Sequence, residues 1–175
     1  MKSFSEWVKE SNPGNYVAVN VTGLPVQIVS ALPGKVTPDP HITLMYSKNS
    51  GVPLANIDYV LKRRSIVGQH IMVTGVDLFD SNDVKTDSGE PTCCIVLKVT
   101  STTLNDIHNN LIRLGCKHSY DKYEPHATLI YGAPVGQATL AKKDIEHKIS
   151  EGIMLTCTSF VNNHIVENWA QLNTG

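Results

Sequence analysis

Apolar and polar positions alternate with a changing period along the chain, and each change marks an element. Residues 15–22, NYVAVNVT, are rich in β-branched and aromatic residues and predict a strand. Residues 25–31 predict a short helix that PGK ends, and 41–46 a short strand. In residues 53–64 Leu54, Ile57, Val60 and Leu61 recur at helical spacing between a proline and three basic residues. Residues 69–79 and 92–100 predict strands, and the polar DSNDVKTDSGEP between them a hairpin with a long exposed loop.

A second helix follows over STTLNDIHNNLIRLG, capped by Ser or Thr and stopped by Gly115, with Leu104, Ile107, Leu111 and Ile112 as its apolar stripe. Residues 126–131 predict a strand, 138–149 a helix, and 152–160 and 163–170 two strands joined by a tight turn at VNNH. Strands, hairpins and helices in this mixed order indicate an α+β fold rather than a doubly wound parallel sheet. No linker marks a boundary, so residues 1–175 are expected to form a single domain of two pseudo-equivalent lobes.

Composition narrows the function classes. A chain of 175 residues buries roughly 70 % of its unfolded surface and needs no disulfide or metal to fold. With 15 Lys and Arg against 16 Asp and Glu, it lacks the basic excess of a protein that grips long nucleic acid. A short oligonucleotide or small anion remains compatible. MKSFSEWVKE is polar and no apolar run approaches the ~20 residues of a membrane span, so a cytoplasmic location without membrane association is expected. Cys93, Cys94, Cys116 and Cys157 form no C-x-x-C pair and read as reduced thiols.

Chemistry concentrates in one phrase that occurs twice. Pro40-His41-x-Thr43-Leu44-x-Tyr46 is repeated as Pro125-His126-x-Thr128-Leu129-x-Tyr131. On a strand, side chains alternate. His41, Thr43 and Met45 are then expected on one face, with Ile42, Leu44 and Tyr46 opposite. Likewise His126, Thr128 and Ile130 oppose Ala127, Leu129 and Tyr131. If the lobes pack about a pseudo-twofold axis, two imidazoles and two hydroxyls meet in one cleft. An imidazole ordinarily titrates near pH ~6.5, so one can take a proton while the other gives one. The threonine hydroxyls can donate to phosphate oxygens. The other histidines, His70, His108, His118, His147 and His164, show no metal-ligand spacing, and His108 and His147 are read as solvated helix residues. There is no P-loop, G-x-S-x-G or G-x-G-x-x-G. Lys62-Arg63-Arg64 complements a helix dipole.

H-x-T once per half resembles the two-histidine (2H) phosphoesterase superfamily. The early NYVAVNV strand and HITLMYSKNS are most similar to the phage anti-CBASS nucleases, which degrade cyclic oligonucleotides made by bacterial antiviral defence. The resemblance implies a bilobal 2H phosphoesterase fold, with antiparallel sheets lining a shared central cleft and helices outside. It implies His41 and His126 as acid and base and Thr43 and Thr128 as phosphate ligands. It implies no metal and no cofactor, and a cyclic oligonucleotide substrate such as cyclic GMP-AMP. Tyr16 and Trp169 would stack on bases, with Glu167 beside Trp169. Two alternatives stay open: an RNA-end 2',3'-cyclic phosphodiesterase on the same fold, and a module that sequesters a nucleotide without turnover. Oligomeric state is not legible.

Overall fold

The computed structural model describes residues 13–49, 51–120 and 122–165; Trp169 and Glu167 lie outside these residues. Among the described residues seven strands form one antiparallel system: β1 (Gly14–Thr22), β2 (Lys35–Val36), β3 (His41–Ser47), β4 (His70–Lys85), β5 (Pro91–Thr100), β6 (His126–Pro134) and β7 (Met154–Ile165). Among the same residues three helices join them: α1 (Leu54–Arg63), α2 (Thr102–Leu114) and α3 (Val135–Glu151). Spatially the order is β2-β6-β3-β1-β7-β4-β5, and β5 also pairs with β6, so the sheet curls back on itself.

Leaving β2 aside, the chain runs strand, turn or helix, strand, helix, strand, and then does so again. The first half is β1, the 3-10 turn Val26–Ile28, β3, α1 and β4; the second is β5, α2, β6, α3 and β7. Each half's last strand pairs with the other half's first: β7 with β1, and β4 with β5. The two halves of the chain are therefore interlocked in one sheet.

The helices form where expected. Ser101 caps α2 by accepting from the Leu104 N–H at 3.2 Å, and Gly115, at φ +122°, ends it. The buried stripe of α2 is Leu104, Ile107, His108 and Leu111. Ile112, expected there, is 41 % exposed, and His108, expected in solvent, is 7 % exposed. The i, i+3, i+4, i+7 spacing from Leu104 carries His108 inward regardless of its polar neighbours.

Two connections differ from expectation. The hairpin loop after residue 79 is short, because β4 continues to Lys85 and a tight turn closes over residues 86–90. There Gly89 donates to the Thr86 carbonyl at 2.9 Å, and the Thr86 hydroxyl accepts from the Glu90 N–H at 3.1 Å. Polar side chains on a projecting hairpin imitate a loop in sequence. β7 is one strand rather than two up to its last described residue. Pairing with β1 from Thr156 to Ile165 holds VNNH extended, and Asn162 donates to the Leu54 carbonyl and the Asp58 carboxylate.

Candidate active site

β3 and β6 touch at a single rung, Ile42 opposite Ala127, in antiparallel sense. Both residues are fully buried. Opposed residues of an antiparallel pair project to one face and their chain neighbours to the other. That one rung therefore turns His41, Thr43, His126 and Thr128 to the same face, where all four are half-buried. The antiparallel sense brings His41 to the Thr128 side and Thr43 to the His126 side. The histidines thus take diagonal corners of a square and the threonines the other two. Diagonal neighbours in such a pair lie about 7–8 Å apart, room for a phosphate group between two imidazoles.

Beyond the threonines the alternation breaks, in both strands alike. Val17 faces Met45 while Ala18 faces Thr43, leaving Leu44 as an extra residue. Ile95 faces Ile130 while Val96 faces Thr128, leaving Leu129 extra. Each is a two-against-one bulge that puts consecutive side chains on one side. Leu44 and Met45, like Leu129 and Ile130, are all fully buried. Met45 and Ile130 consequently do not share the histidine face, as strict alternation had them do. Tyr46 and Tyr131 return to that face, Tyr46 opposite Tyr16. The repeated phrase extends to its tyrosine because the bulge at leucine brings that tyrosine round to the cleft.

Each histidine is oriented in the same way. Nδ1–H of His41 donates to the Asp39 carbonyl at 2.7 Å, and Nδ1–H of His126 to the Glu124 carbonyl at 2.8 Å. This fixes the tautomer and leaves Nε2 on both rings for chemistry. Each ring also stands nearly perpendicular to an aromatic ring: Tyr16 against His41 at 6.3 Å and 83°, Phe79 against His126 at 5.3 Å and 73°. Burial pushes the Tyr16 phenol up, and a hydrogen bond with the Thr43 hydroxyl opposes that shift. Tyr16 stands on the cleft face but is only 8 % exposed.

The cross-strand neighbours differ. Asn20 lies opposite His41 and donates to the Ser159 hydroxyl at 2.9 Å. Lys98 lies opposite His126 and bridges to Asp77 at 3.2 Å. The Leu78 N–H first, and then Lys98, hold the Asp77 carboxyl below its usual range. Sequence reasoning missed Phe79, Lys98 and Asp77. Only the strand register shows that they share the histidine face.

Behind β3, a second group supports the site. Nδ1–H of His108 donates to the Leu44 carbonyl at 2.7 Å, and the Tyr123 hydroxyl to the Thr43 carbonyl at 2.9 Å. The two rings stack at 4.0 Å and 5°. The Ser119 N–H donates to the Tyr46 carbonyl at 2.8 Å. Desolvation lowers the His108 pKa; desolvation and the neighbouring His108 lower that of His118. All four cysteines are free, as expected, and burial raises the Cys157 thiol to about 11. His147 is exposed and pairs with Glu151 at 3.1 Å. Among the described residues no helix is long and apolar enough to cross a membrane, and no three His, Cys, Asp or Glu side chains gather as a cation site.

Two H-x-T strands, one from each half of an interlocked α+β fold, share one face, which is the pairing that the resemblance to two-histidine phosphoesterases implies. The family model of anti-CBASS protein Acb1 matches residues 27–171, and the chain belongs to that family. Solved structures with a similar course include a phosphoesterase (17 % identity, 69 % of this chain and 74 % of that one, TM-score 0.40). The MHV ns2 PDE domain is similar at 12 % identity, 89 % and 94 % coverage and a TM-score of 0.44. LigT of E. coli, complexed with 3'-AMP, is similar at 16 % identity, 70 % and 74 % coverage and a TM-score of 0.40. No curated protein matches the sequence.

Proposed function

We propose that the chain is a metal-independent phosphodiesterase that opens 3'-5' bonds of cyclic oligonucleotide messengers, and so acts against the bacterial defence that its family is named for. The observation that carries this reading is the Ile42–Ala127 rung, which presents two oriented Nε2 atoms and two hydroxyls to one volume. In the reaction, the Nε2 of one histidine takes the proton of the attacking oxygen, a neighbouring ribose 2'-hydroxyl or water. That oxygen bonds to phosphorus, the P–O5' bond breaks, and the other histidine's Nε2–H protonates the departing O5'. Thr43 and Thr128 donate to the non-bridging oxygens, whose charge grows at the transition state. Attack by the 2'-hydroxyl leaves a 2',3'-cyclic phosphate that water opens through the same pair in reversed roles.

Tyr16 is buried against His41, whereas Phe79 is half-exposed beside His126. Phe79 therefore offers an open aromatic face for a base, which the buried Tyr16 does not, and stacking contributes about 1–3 kcal/mol per base.

The test is incubation with cyclic GMP-AMP in EDTA, in parallel with an RNA ending in a 2',3'-cyclic phosphate. Linear product from the cyclic dinucleotide, lost in His41→Ala and His126→Ala, is the expected result. Turnover of the RNA end alone reassigns the chain to RNA processing. Binding without turnover of either makes it a sequestering module.

A further inference from the structure

The two half-sites match at histidine and threonine but not in charge. Opposite His41 stands Asn20, a neutral amide tied to Ser159 of β7. Opposite His126 stands Lys98, tied to Asp77 of β4. β7 and β4 are the equivalent last strands of the two halves, but Ser159 lies directly opposite Asn20, whereas Asp77 lies diagonal to Lys98, whose direct partner is Gly75. We propose that Lys98 forms an anion subsite beside the scissile position, taking a second phosphate of the substrate, and that Asp77 holds its ammonium there when the site is empty.

Three observations support this. The register puts Lys98 directly opposite His126, hence on the histidine face and within reach of a group adjoining the bound phosphate. Lys98 and Asp77 are 43 % and 41 % exposed, and an ion pair so open to water is weak and readily exchanged for another anion. The Asp77 carboxylate also accepts the Leu78 N–H at 2.9 Å, so it stays partnered when the ammonium turns to a ligand. The consequence is selection by phosphate count. A single phosphodiester is met by the His-Thr square alone. A cyclic dinucleotide or trinucleotide carries at least one phosphate more, and only the His126 side supplies a cation opposite its histidine. The ring is then bound in one sense.

The inference rests on the proposed function, and its test separates the two. Lys98→Gln and Lys98→Arg are assayed on a cyclic dinucleotide and on a linear dinucleoside monophosphate, with thermal melting as the control for folding. For Lys98→Gln the expected result is a KM about tenfold higher for the cyclic dinucleotide and a kcat within about twofold of the parent. Lys98→Arg restores most of the affinity, and the monophosphate is handled by all three proteins alike. The salt dependence of kcat/KM also flattens in Lys98→Gln, because one phosphate contact has gone. A kcat loss at constant KM, an arginine variant as poor as the glutamine one, or equal losses on both substrates overturns the subsite. If the parent turns over neither compound, the proposed function fails, and calorimetric titration of the cyclic dinucleotide then decides the subsite alone. Weaker binding by Lys98→Gln than by the parent supports it, and equal binding or none to the parent overturns it.

Discussion

Strands β3 and β6 present the same face to the cleft and different edges to the rest of the molecule. Inward, each offers His, Thr and, past a bulge at leucine, Tyr, with the histidine's Nδ1–H on a carbonyl two residues back. Outward, the carbonyls of the two bulge leucines find different partners. The Leu129 carbonyl receives the Thr37 N–H at 3.1 Å, from the chain just after β2. The glycine at Gly34, with φ +125°, lets that segment approach, since a Cβ there would lie 2.6 Å from the Tyr131 carbonyl. The Leu44 carbonyl receives a side chain instead, the imidazole of His108. Backbone groups must be partnered when buried, but the source of the partner is free. The reacting face tolerates no such freedom, because four groups must converge on one phosphate. Divergent edges around a common face are what that difference in constraint produces.

The largest expected effects fall on the common face. His41→Ala and His126→Ala should each lower kcat/KM for the cyclic dinucleotide about 10²–10⁴-fold. The double variant should fall little further, since a proton-transfer pair fails as a unit. Rate against pH should be bell-shaped, one imidazole being neutral and the other charged, and each single variant should lose one limb. A flat profile from about pH 5 to 9, or one dispensable histidine, would break the equivalence of the two strands. Thr43→Val and Thr128→Val should each cost about 10²-fold, mostly in kcat. Unequal losses would show which hydroxyl faces the charged oxygen.

Legibility divides along the same line. The H-x-T pairs, the helices and the α+β class could be read directly, because they depend on local period and on a repeated phrase. Tyr46 and Met45 were placed on the wrong faces, since a bulge arises from pairing with a neighbour and nothing in HITLMY announces it. Its trace is still present: Leu-Met and Leu-Ile are two adjacent apolar residues in otherwise alternating strands. Lys98, Asp77 and Phe79 could not be found, because they reach the cleft only through the β4–β5–β6 register. His108 could have been, since it continues the stripe from Leu104 at i+4.

On the divergent edges the expected effect is on stability, and on one side only. His108→Ala removes the partner of a buried carbonyl and a stacked ring, and should cost about 1–3 kcal/mol in urea unfolding at pH 7.5. His108→Gln keeps a donor and should cost less. The sign of the pH dependence follows from direction. Burial lowers the folded-state pKa of His108 and His118, so the unfolded chain binds protons more readily. Their contribution is complete above the unfolded value of about 6.5 and is lost as the pH falls through the lower folded values. The parent should therefore lose stability between about pH 6.5 and pH 5, and His108→Gln should lose less over the same range. An equal loss in both would place the acid sensitivity elsewhere, and the two edges would then differ in construction without differing in behaviour.

The smallest effect is expected at the neutral counterpart of Lys98. Ser159→Ala removes the acceptor of the Asn20 amide, an exposed hydrogen bond of 2.9 Å. Water replaces that partner at almost no cost, so stability should change by no more than about 0.5 kcal/mol. Because Asn20 carries no charge, kcat/KM for the cyclic dinucleotide should stay within about twofold of the parent. A large rise in KM on Ser159→Ala would mean that Asn20 is held in place to bind substrate. The cleft would then grip its ligand from both sides, and the charge on Lys98 would matter less than the polar contact both half-sites make.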